Sequence, residues 1–257
     1  MNQKVQGVLE VVQGVLEVSK KSIKLKQKVK DTKIRKVIPN HLNRFDIKHQ
    51  GQRGFVIGGG PSILDIKDKG FDFNLLKDEI TVGVNKAYSL IIPTYLVWTD
   101  PYFWKTFKKE LISLKCIKFC PANIVKKFSI ENNNIYSLRR DKDQKGATIG
   151  SSLSNPIPMW NNSGVTGLRI AHVLGLNPIY LVGIDLLLED TNKRTHFHEF
   201  YDKTRIKKTT KKRYNLFFES FQKTINSLKE KNIEVISCSK TSKLNDIISF
   251  IPINTLF

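Results

Sequence analysis

Short apolar runs alternate with longer amphipathic segments along most of this chain. The runs lie at residues 55–57, 80–84, 95–99, 116–120, 179–184 and 233–237. Apolar residues recur at helical spacing in several of the segments between them, most clearly at 161–175 and 214–231. Continuous apolar runs separated by helical patterns are typical of strands buried in a parallel sheet. The pattern therefore predicts an α/β fold whose mostly parallel sheet is covered by helices on both faces.

The first of these strands ends in a glycine-rich turn. Gly58, Gly59 and Gly60 follow the strand directly, and Pro61 and Ser62 then begin a short predicted helix. Glycines let the backbone approach a ligand closely, and free N–H groups at a helix start favour anions. The spacing fits neither the dinucleotide fingerprint nor a Walker loop. We interpret the turn as a phosphate-binding or nucleotide-binding site; the alternative is a tight turn without a ligand.

Polar residues stand where other predicted strands end. Asn85, Asp100 and Asp185 each follow a strand, at the edge where open parallel sheets bind ligands. Asp100 also precedes Pro101, so it is either a site residue or the N-cap of a helix. A later helix starts near Asn162 and Ser163, either of which is a suitable cap.

The order of three motifs resembles two known families. Gly-Gly-Gly-Pro-Ser at 58–62 precedes Val-Gly-Val-Asn at 82–85, and Ser-Gly-Val at 163–165 precedes Ile-Tyr-Leu-Val-Gly-Ile-Asp at 179–185. The motifs resemble the 6-hydroxymethylpterin diphosphokinase MptE-like domain family. They are also similar to bacterial CMP-sialic-acid-dependent sialyltransferases, which have Gly-Asn-Gly-Pro-Ser at the first motif. The similarity extends from about residue 54 to 185 and continues weakly to about 240.

The resemblance implies a nucleotide-dependent transferase on a Rossmann-like sheet. The donor-contacting positions of the sialyltransferases correspond here to Gly59, Asn85, Ser163 and Gly164. Gly59 departs from that pattern because it has no side chain to hydrogen-bond a CMP donor. We therefore expect nucleotide contacts from a wider set of residues, namely Gly58, Gly59, Gly60, Ser62, Asn85, Asp100, Ser163, Gly164 and Asp185.

A charged segment of low periodicity, 186–214, has the character of a lid. It contains His196, His198 and Tyr201, followed by several lysines and arginines. A histidine can deprotonate a hydroxyl near neutral pH, and cationic or tyrosine side chains can stabilise a departing phosphate. By resemblance to the sialyltransferase lid, His196 or His198 is the candidate base, with Tyr201 beside it. The alternatives are a metal-binding His-x-His pair, for which a third ligand is missing, and an exposed loop; we expect no metal site.

The start of the chain is repetitive and basic. Val-Gln-Gly-Val-Leu-Glu-Val at 5–11 recurs at 12–18, and nine basic residues opposed by one aspartate follow between 20 and 36. Residues 1–53 hold thirteen Lys and Arg against four Asp and Glu, in a chain of net charge +20. Such a helical extension suits an anionic membrane surface, self-association or neither. It does not resemble a signal peptide, and no segment is apolar enough to span a bilayer.

We divide the chain into a basic helical extension and linker, 1–50, and a Rossmann-like transferase domain, 51–257. The leading hypothesis is a glycosyltransferase-like enzyme that moves a sugar from a nucleotide-sugar donor, with a CMP-sugar as one candidate, to a hydroxyl acceptor in surface-glycan synthesis. One alternative is an Mg²⁺-dependent, MptE-like diphosphokinase acting on a hydroxymethylpterin, its metal held by Asp100 or Asp185. Another is a non-catalytic scaffold that binds a membrane or a partner.

Three reduced cysteines and the lack of a membrane span favour a cytoplasmic protein, peripheral on the inner face of the membrane if the extension binds lipid. Nucleic acid is not an expected partner, because the basic residues are not interleaved with stacking aromatics.

Overall fold

The computed structural model describes residues 42–131, 134–141, 150–160, 162–187, 196–199 and 211–257, together with residue 17. The chain divides into two compact units, Met1–Asn40 and His41–Phe257. Apart from residue 17, the described residues all belong to the second unit, so the rest of the predicted repeat and the basic run at 20–36 lie outside them. No helix within the described part of the chain is long and apolar enough to cross a membrane.

A single parallel sheet organises the second unit. Seven strands among the described residues form it in the order β5-β4-β3-β2-β1-β6-β7, and each neighbouring pair is parallel. The strands are β1 Gly54–Ile57, β2 Ile80–Val84, β3 Tyr95–Val97, β4 Ile117–Pro121, β5 Ile135–Leu138, β6 Ile179–Val182 and β7 Val235–Ser237. The predicted parallel sheet is confirmed. β5 and the helix before it were not predicted.

Helices cover both faces of the sheet, as the sequence predicts. They are α1 Ser62–Asp68, α2 Pro101–Ser113, α3 Ala122–Phe128, α4 Ser163–Val173 and α5 Lys211–Lys229, with shorter 3-10 helices at Leu42–Phe45, Phe73–Asp78, Asn85–Ser89, Lys243–Asp246 and Ile253–Leu256. Side chains alternate across each strand, so Val56 packs in the core beneath α4 and α5, while Phe55 and Ile57 pack with α1. The Rossmann-like α/β class is therefore correct.

A glycine in the middle of helix α4 lies directly against the sheet. A Cβ added to Gly167 would lie 3.0 Å from a methyl carbon of Val84 and 3.2 Å from one of Val56. The small residue lets the helix axis approach β1 and β2, which brings the start of α4 level with the carboxyl ends of those strands.

Residues 42–50, which the sequence analysis assigned to the extension and linker, pack against the sheet. The Phe45 ring is 2% exposed and makes edge contacts with the rings of Tyr95, Phe119 and Tyr136. A histidine four residues later, His49, lies with Nε2 2.8 Å from the Tyr95 hydroxyl. These contacts join the segment to β3, β4 and β5, so the packed part of the domain includes residues before 51.

Replacing Phe45 tests this contribution to the core. Phe45→Ala should lower the free energy of unfolding by about 3–5 kcal/mol, because it leaves a cavity among three aromatic rings. Chemical denaturation measures the change. Ile92→Ala is the control, since Ile92 is 64% exposed and its truncation should change stability by no more than about 0.5 kcal/mol. Equal losses in the two variants would show that residues 42–45 do not stabilise the domain.

Candidate functional site

The order of the strands creates a crevice between β1 and β6. The chain places β1 to β5 successively in one direction, then returns to add β6 and β7 on the other side of β1. The connections leaving β1 and β6 therefore diverge onto opposite faces of the sheet. Open α/β sheets bind ligands at such a reversal, outside the carboxyl ends of the strands.

A cavity of about 700 Å³ occupies this crevice. Its wall is formed by the ends of β1, β2, β3 and β6, the start of α4 and one side of α5. Nine of the residues predicted for the site line it together, namely Gly58, Gly59, Gly60, Asn85, Asp100, Ser163, Gly164, Asp185 and His196. Ser62 and His198 lie beside the wall without lining it, and Tyr201 lies outside the described residues.

A buried carboxylate ties the two sides of the crevice together. Asp185, which is 4% exposed, accepts the Ser62 N–H on Oδ2 at 2.8 Å and the Ser62 hydroxyl on Oδ1 at 2.5 Å. Burial raises the pKa of Asp185, while the hydrogen bonds from Ser62 act in the opposite direction. The start of α1 thus already holds an acidic group. A phosphate is therefore not expected to bind at this helix start.

The glycine at position 60 makes this pairing sterically feasible. A Cβ on Gly60 would lie 2.4 Å from Oδ2 of Asp185, closer than non-bonded atoms can approach. Ser239 completes the junction, because its hydroxyl accepts the Gly183 N–H at 2.9 Å and lies 2.9 Å from the Ser62 hydroxyl. Sequence analysis predicted Ser62 and Asp185 as ligand contacts, whereas in the structure their polar atoms satisfy one another.

Asn85 stands at the end of β2 in a left-handed backbone conformation. Its φ is +51°, a region that asparagine tolerates better than most residues. Its Oδ1 atom is buried and has no hydrogen-bond partner among the described residues. Since Asn85 also lines the cavity, its carboxamide is available to a ligand.

The start of α4 forms another part of the cavity wall. Asn162 is the N-cap, because its Oδ1 accepts the N–H groups of Gly164 at 2.9 Å and Val165 at 3.3 Å. The hydroxyl of Ser163 instead lies 2.7 Å from that of Thr99 and so connects α4 to the end of β3. Of the two cap residues that the sequence allowed, the structure selects Asn162. The first turn of α4 has no acidic residue.

Asp100 caps the next helix along the sheet. Its Oδ1 accepts the Tyr102 N–H at 2.8 Å, and Pro101 occupies the first position of α2. The structure therefore shows the capping arrangement, one of the two left open by the sequence, at a residue that also lines the cavity. Thr99 lines the cavity as well but was not predicted, although its place at the end of a strand was a usable signal.

Residues 196–199, the described part of the segment predicted to be a lid, lie against the glycine turn. The Phe197 N–H donates to the Gly59 carbonyl at 3.0 Å, and its ring packs on the apolar cluster that contains Ile57 and Ile63. The imidazoles of His196 and His198 lie 3.3 and 3.4 Å from the point where a Cβ on Gly59 would be. The two rings thus occupy the space over Gly59 that a larger residue would need.

Of the two histidines, only His196 lines the cavity. Burial lowers its pKa to about 4, so the ring is neutral at physiological pH and can accept a proton. The ring centroid of His198 lies 5.2 Å from that of His196.

Helix α5 contributes wall residues that sequence analysis did not assign to the site. Tyr214, Phe217 and Phe221 line the cavity, as does Arg213, whose side chain is exposed. Burial raises the pKa of Tyr214, and the nearby charge of Asp185 raises it further. The helical periodicity of this segment identified an apolar face. Nothing local in the sequence shows that the face covers the end of β6.

Metal ligands do not cluster in the described part of the chain. No group of three or more His, Cys, Asp or Glu there is arranged to hold a metal ion. The carboxylates suggested as Mg²⁺ ligands, Asp100 and Asp185, are both engaged with backbone N–H groups at helix starts.

Comparisons with known proteins give only distant matches. No protein-family model matches the chain, and no curated protein matches its sequence. Sialyltransferase CstII from Campylobacter jejuni, in complex with CMP-3FNeuAc, aligns with 78% of this chain and 86% of its own at 17% identity and a TM-score of 0.49. A tyrosine-to-phenylalanine variant of Cst-II with CMP aligns over the same shares at 17% identity and a TM-score of 0.47.

The MAf glycosyltransferase from Magnetospirillum magneticum AMB-1 aligns with 82% of this chain and 35% of its own, at 14% identity and a TM-score of 0.49. Matches at these identities and TM-scores establish no activity for this chain. The resemblance to the MptE-like family gains no support from any of the comparisons. The function is therefore argued from the geometry of the site.

The Ser62–Asp185 contact predicts a pH-dependent loss of stability. Ser62→Ala should lower the free energy of unfolding by about 1–3 kcal/mol near neutral pH, because a buried carboxylate loses a hydrogen bond. The variant raises the folded-state pKa of Asp185 further above its unfolded value. The loss should therefore be smallest at acidic pH and grow as the pH rises through that pKa.

Thermal unfolding between pH 4 and 8 measures this effect. Ser89→Ala is the matched control, since the Ser89 hydroxyl is exposed and bonds only the nearby Lys86 carbonyl. A pH-independent loss in Ser62→Ala, or none, would contradict the role assigned to the contact.

Proposed function

We propose that this protein is a glycosyltransferase-like enzyme that binds a nucleotide sugar in the β1–β6 crevice and transfers the sugar to a hydroxyl acceptor. One observation carries the proposal. A single cavity brings together the glycine turn, Asn85, the start of α4 and His196, although these lie far apart in the sequence. It therefore combines polar groups that can hold a nucleotide with a neutral imidazole that can take a proton.

The donor phosphate is best placed towards α4 and Arg213. The start of α1 already holds the Asp185 carboxylate, which would repel a phosphate. Helix α4 directs eleven residues of aligned peptide dipoles at the cavity, with no acid in its first turn. Arg213 lines the same cavity and supplies a cation that can pair with phosphate oxygens. The resemblance of the motifs to sialyltransferases makes a CMP-sugar the first donor to test.

His196 is the better of the two candidate bases. It lines the cavity, whereas His198 does not, and its lowered pKa keeps it unprotonated at neutral pH. A base with a pKa near 4 is weak in the empty site. A bound nucleotide places negative charge nearby, which favours the imidazolium and raises the pKa of His196 as the donor binds.

The proposed reaction is a displacement at the anomeric carbon of the donor sugar. The acceptor hydroxyl oxygen attacks that carbon, and its proton moves to His196. The bond between the anomeric carbon and the phosphate oxygen breaks, and its electron pair leaves with the nucleotide phosphate. Arg213, and Tyr214 if its hydroxyl donates, stabilise the charge on the leaving group. Tyr201 remains a candidate for the same task.

The acceptor and the cellular setting are extensions of this proposal. A basic, amphipathic start to the chain suits an acceptor that is a lipid-linked or membrane-proximal glycan, and a protein held at the cytoplasmic face of the membrane. The diphosphokinase alternative is less well supported, because Asp100 and Asp185 would have to give up helix-capping hydrogen bonds to bind Mg²⁺. A scaffold without catalysis would show no nucleotide affinity.

A ligand screen separates these functions. Thermal unfolding should be recorded with CMP, CDP, UDP, GDP and ATP, each with and without Mg²⁺, since a ligand of the folded state raises the melting temperature. We expect a shift with a nucleoside mono- or diphosphate, with CMP as the leading candidate, that persists in EDTA. A shift confined to Mg²⁺-ATP would favour the diphosphokinase, and no shift with any nucleotide would favour the scaffold.

Replacing each histidine tests the assignment of the base. His196→Ala should reduce kcat by about 10²- to 10⁴-fold, a typical contribution of a general base, while the nucleotide identified by the screen still binds. His198→Ala should have a smaller effect, because that ring lies outside the cavity wall. In the unsubstituted enzyme, the acid limb of kcat/KM should lie nearer pH 4 than 6.5, since activity falls as His196 becomes protonated. Equal kcat in His196→Ala and the unsubstituted enzyme would exclude His196 as the base.

A further inference from the structure

The carboxamide of Asn162 uses its oxygen in hydrogen bonds, whereas its NH2 group has no partner among the described residues. Asn162 is only 9% exposed and lines the cavity at the start of α4. Its Oδ1 accepts the N–H groups of Gly164 and Val165. Reversing the carboxamide would place its NH2 group against those two donors, so the hydrogen-bond network fixes the assignment of Oδ1 and Nδ2.

The NH2 group of Asn162 is a buried donor. Nδ2 of Asn162 has no hydrogen-bond partner among the residues that the structure describes. A buried polar group without a partner is destabilising, and native proteins rarely keep one without a reason. An acceptor atom supplied by a ligand would satisfy it.

Other features of the cavity wall fit a polar ligand that carries such an acceptor atom. The dipole of α4 makes this corner of the cavity favourable for an electronegative atom, and no acid in the first turn opposes it. The hydroxyl of Ser163 is already paired with Thr99, so it competes less for such an atom. Oδ1 of Asn85, another residue of the cavity wall, is a buried acceptor that also has no partner in the described part of the chain, and it suits a donor group of the same ligand.

We propose that Asn162 is a specificity-determining residue of the donor site, where its Nδ2 donates a hydrogen bond to an acceptor oxygen of the bound nucleotide. The oxygen is either a base carbonyl or a phosphate oxygen. Asn162 thus caps α4 with its Oδ1 and hydrogen-bonds the nucleotide with its Nδ2. This inference rests on the proposed function, because it requires a nucleotide in the β1–β6 cavity.

Two substitutions separate the capping role from the ligand role. Aspartate and serine are both good N-caps, so Asn162→Asp and Asn162→Ser should retain the cap and a melting temperature close to that of the unsubstituted protein. Aspartate has the shape of asparagine but replaces the NH2 donor by an acceptor. Serine removes that donor without adding charge.

The experiment measures affinity by titration calorimetry for the nucleotide that gives the largest shift in the screen. Both variants should bind it about tenfold or more weakly. Asn254→Asp is the charge control, because it adds the same charge at an exposed residue outside the cavity wall and should leave affinity unchanged. Since the cap is retained, weaker binding cannot be assigned to a loss of the helix start.

The corresponding nucleoside and inorganic phosphate identify the oxygen that is read. If Asn162→Ser lowers the affinity for the nucleoside as much as that for the nucleotide, the contact is to the base. If it lowers the affinity only for ligands that carry a phosphate, the contact is to the phosphate. Unchanged affinity in both variants overturns the inference and leaves the proposed function intact. Absence of binding by the unsubstituted protein overturns both.

Discussion

The hydrogen bonds between Asp185 and Ser62 join the turn after β1 to the turn after β6, beside the cavity where a ligand would bind. The chain leaves β1 and β6 towards opposite faces of the sheet, and this buried contact links the two turns. Gly60 is required because the carboxylate occupies the space of its absent side chain. The cavity extends from this junction past the ends of β2 and β3 to the start of α4.

The same contact decides the electrostatics of the site. The Asp185 carboxylate already occupies the positive end of the α1 dipole. The positive groups that remain for a ligand are therefore the start of α4 and Arg213. His196 lies over the glycine turn as a neutral ring. The cavity therefore has one acidic side, where Asp185 is already hydrogen-bonded to Ser62, and one side suited to phosphate. The large net positive charge of the chain would attract nucleotides in general without deciding where they bind.

Much of the fold was predictable because strands buried in a parallel sheet have continuous apolar sequences. β5 was missed because its sequence, Ile-Tyr-Ser-Leu, is short and half polar. Most site residues were predictable from their place at strand ends, and the structure does bring nine of them to one cavity. What sequence could not resolve is which polar residues the fold itself uses. Asp100 and Asn162 cap helices, Asp185 pairs with Ser62, and each stands at the kind of position where a ligand contact is also expected.

The interlock of Gly60, Ser62 and Asp185 has a consequence for protein engineering. These three positions form one unit, because a side chain at 60 displaces the carboxylate and a change at 62 or 185 strands the partner. A mutational library that varies them singly will therefore return mainly destabilised variants. Directed evolution of ligand choice should leave this trio untouched and diversify Asn85 and Arg213, which line the cavity outside this hydrogen-bond network.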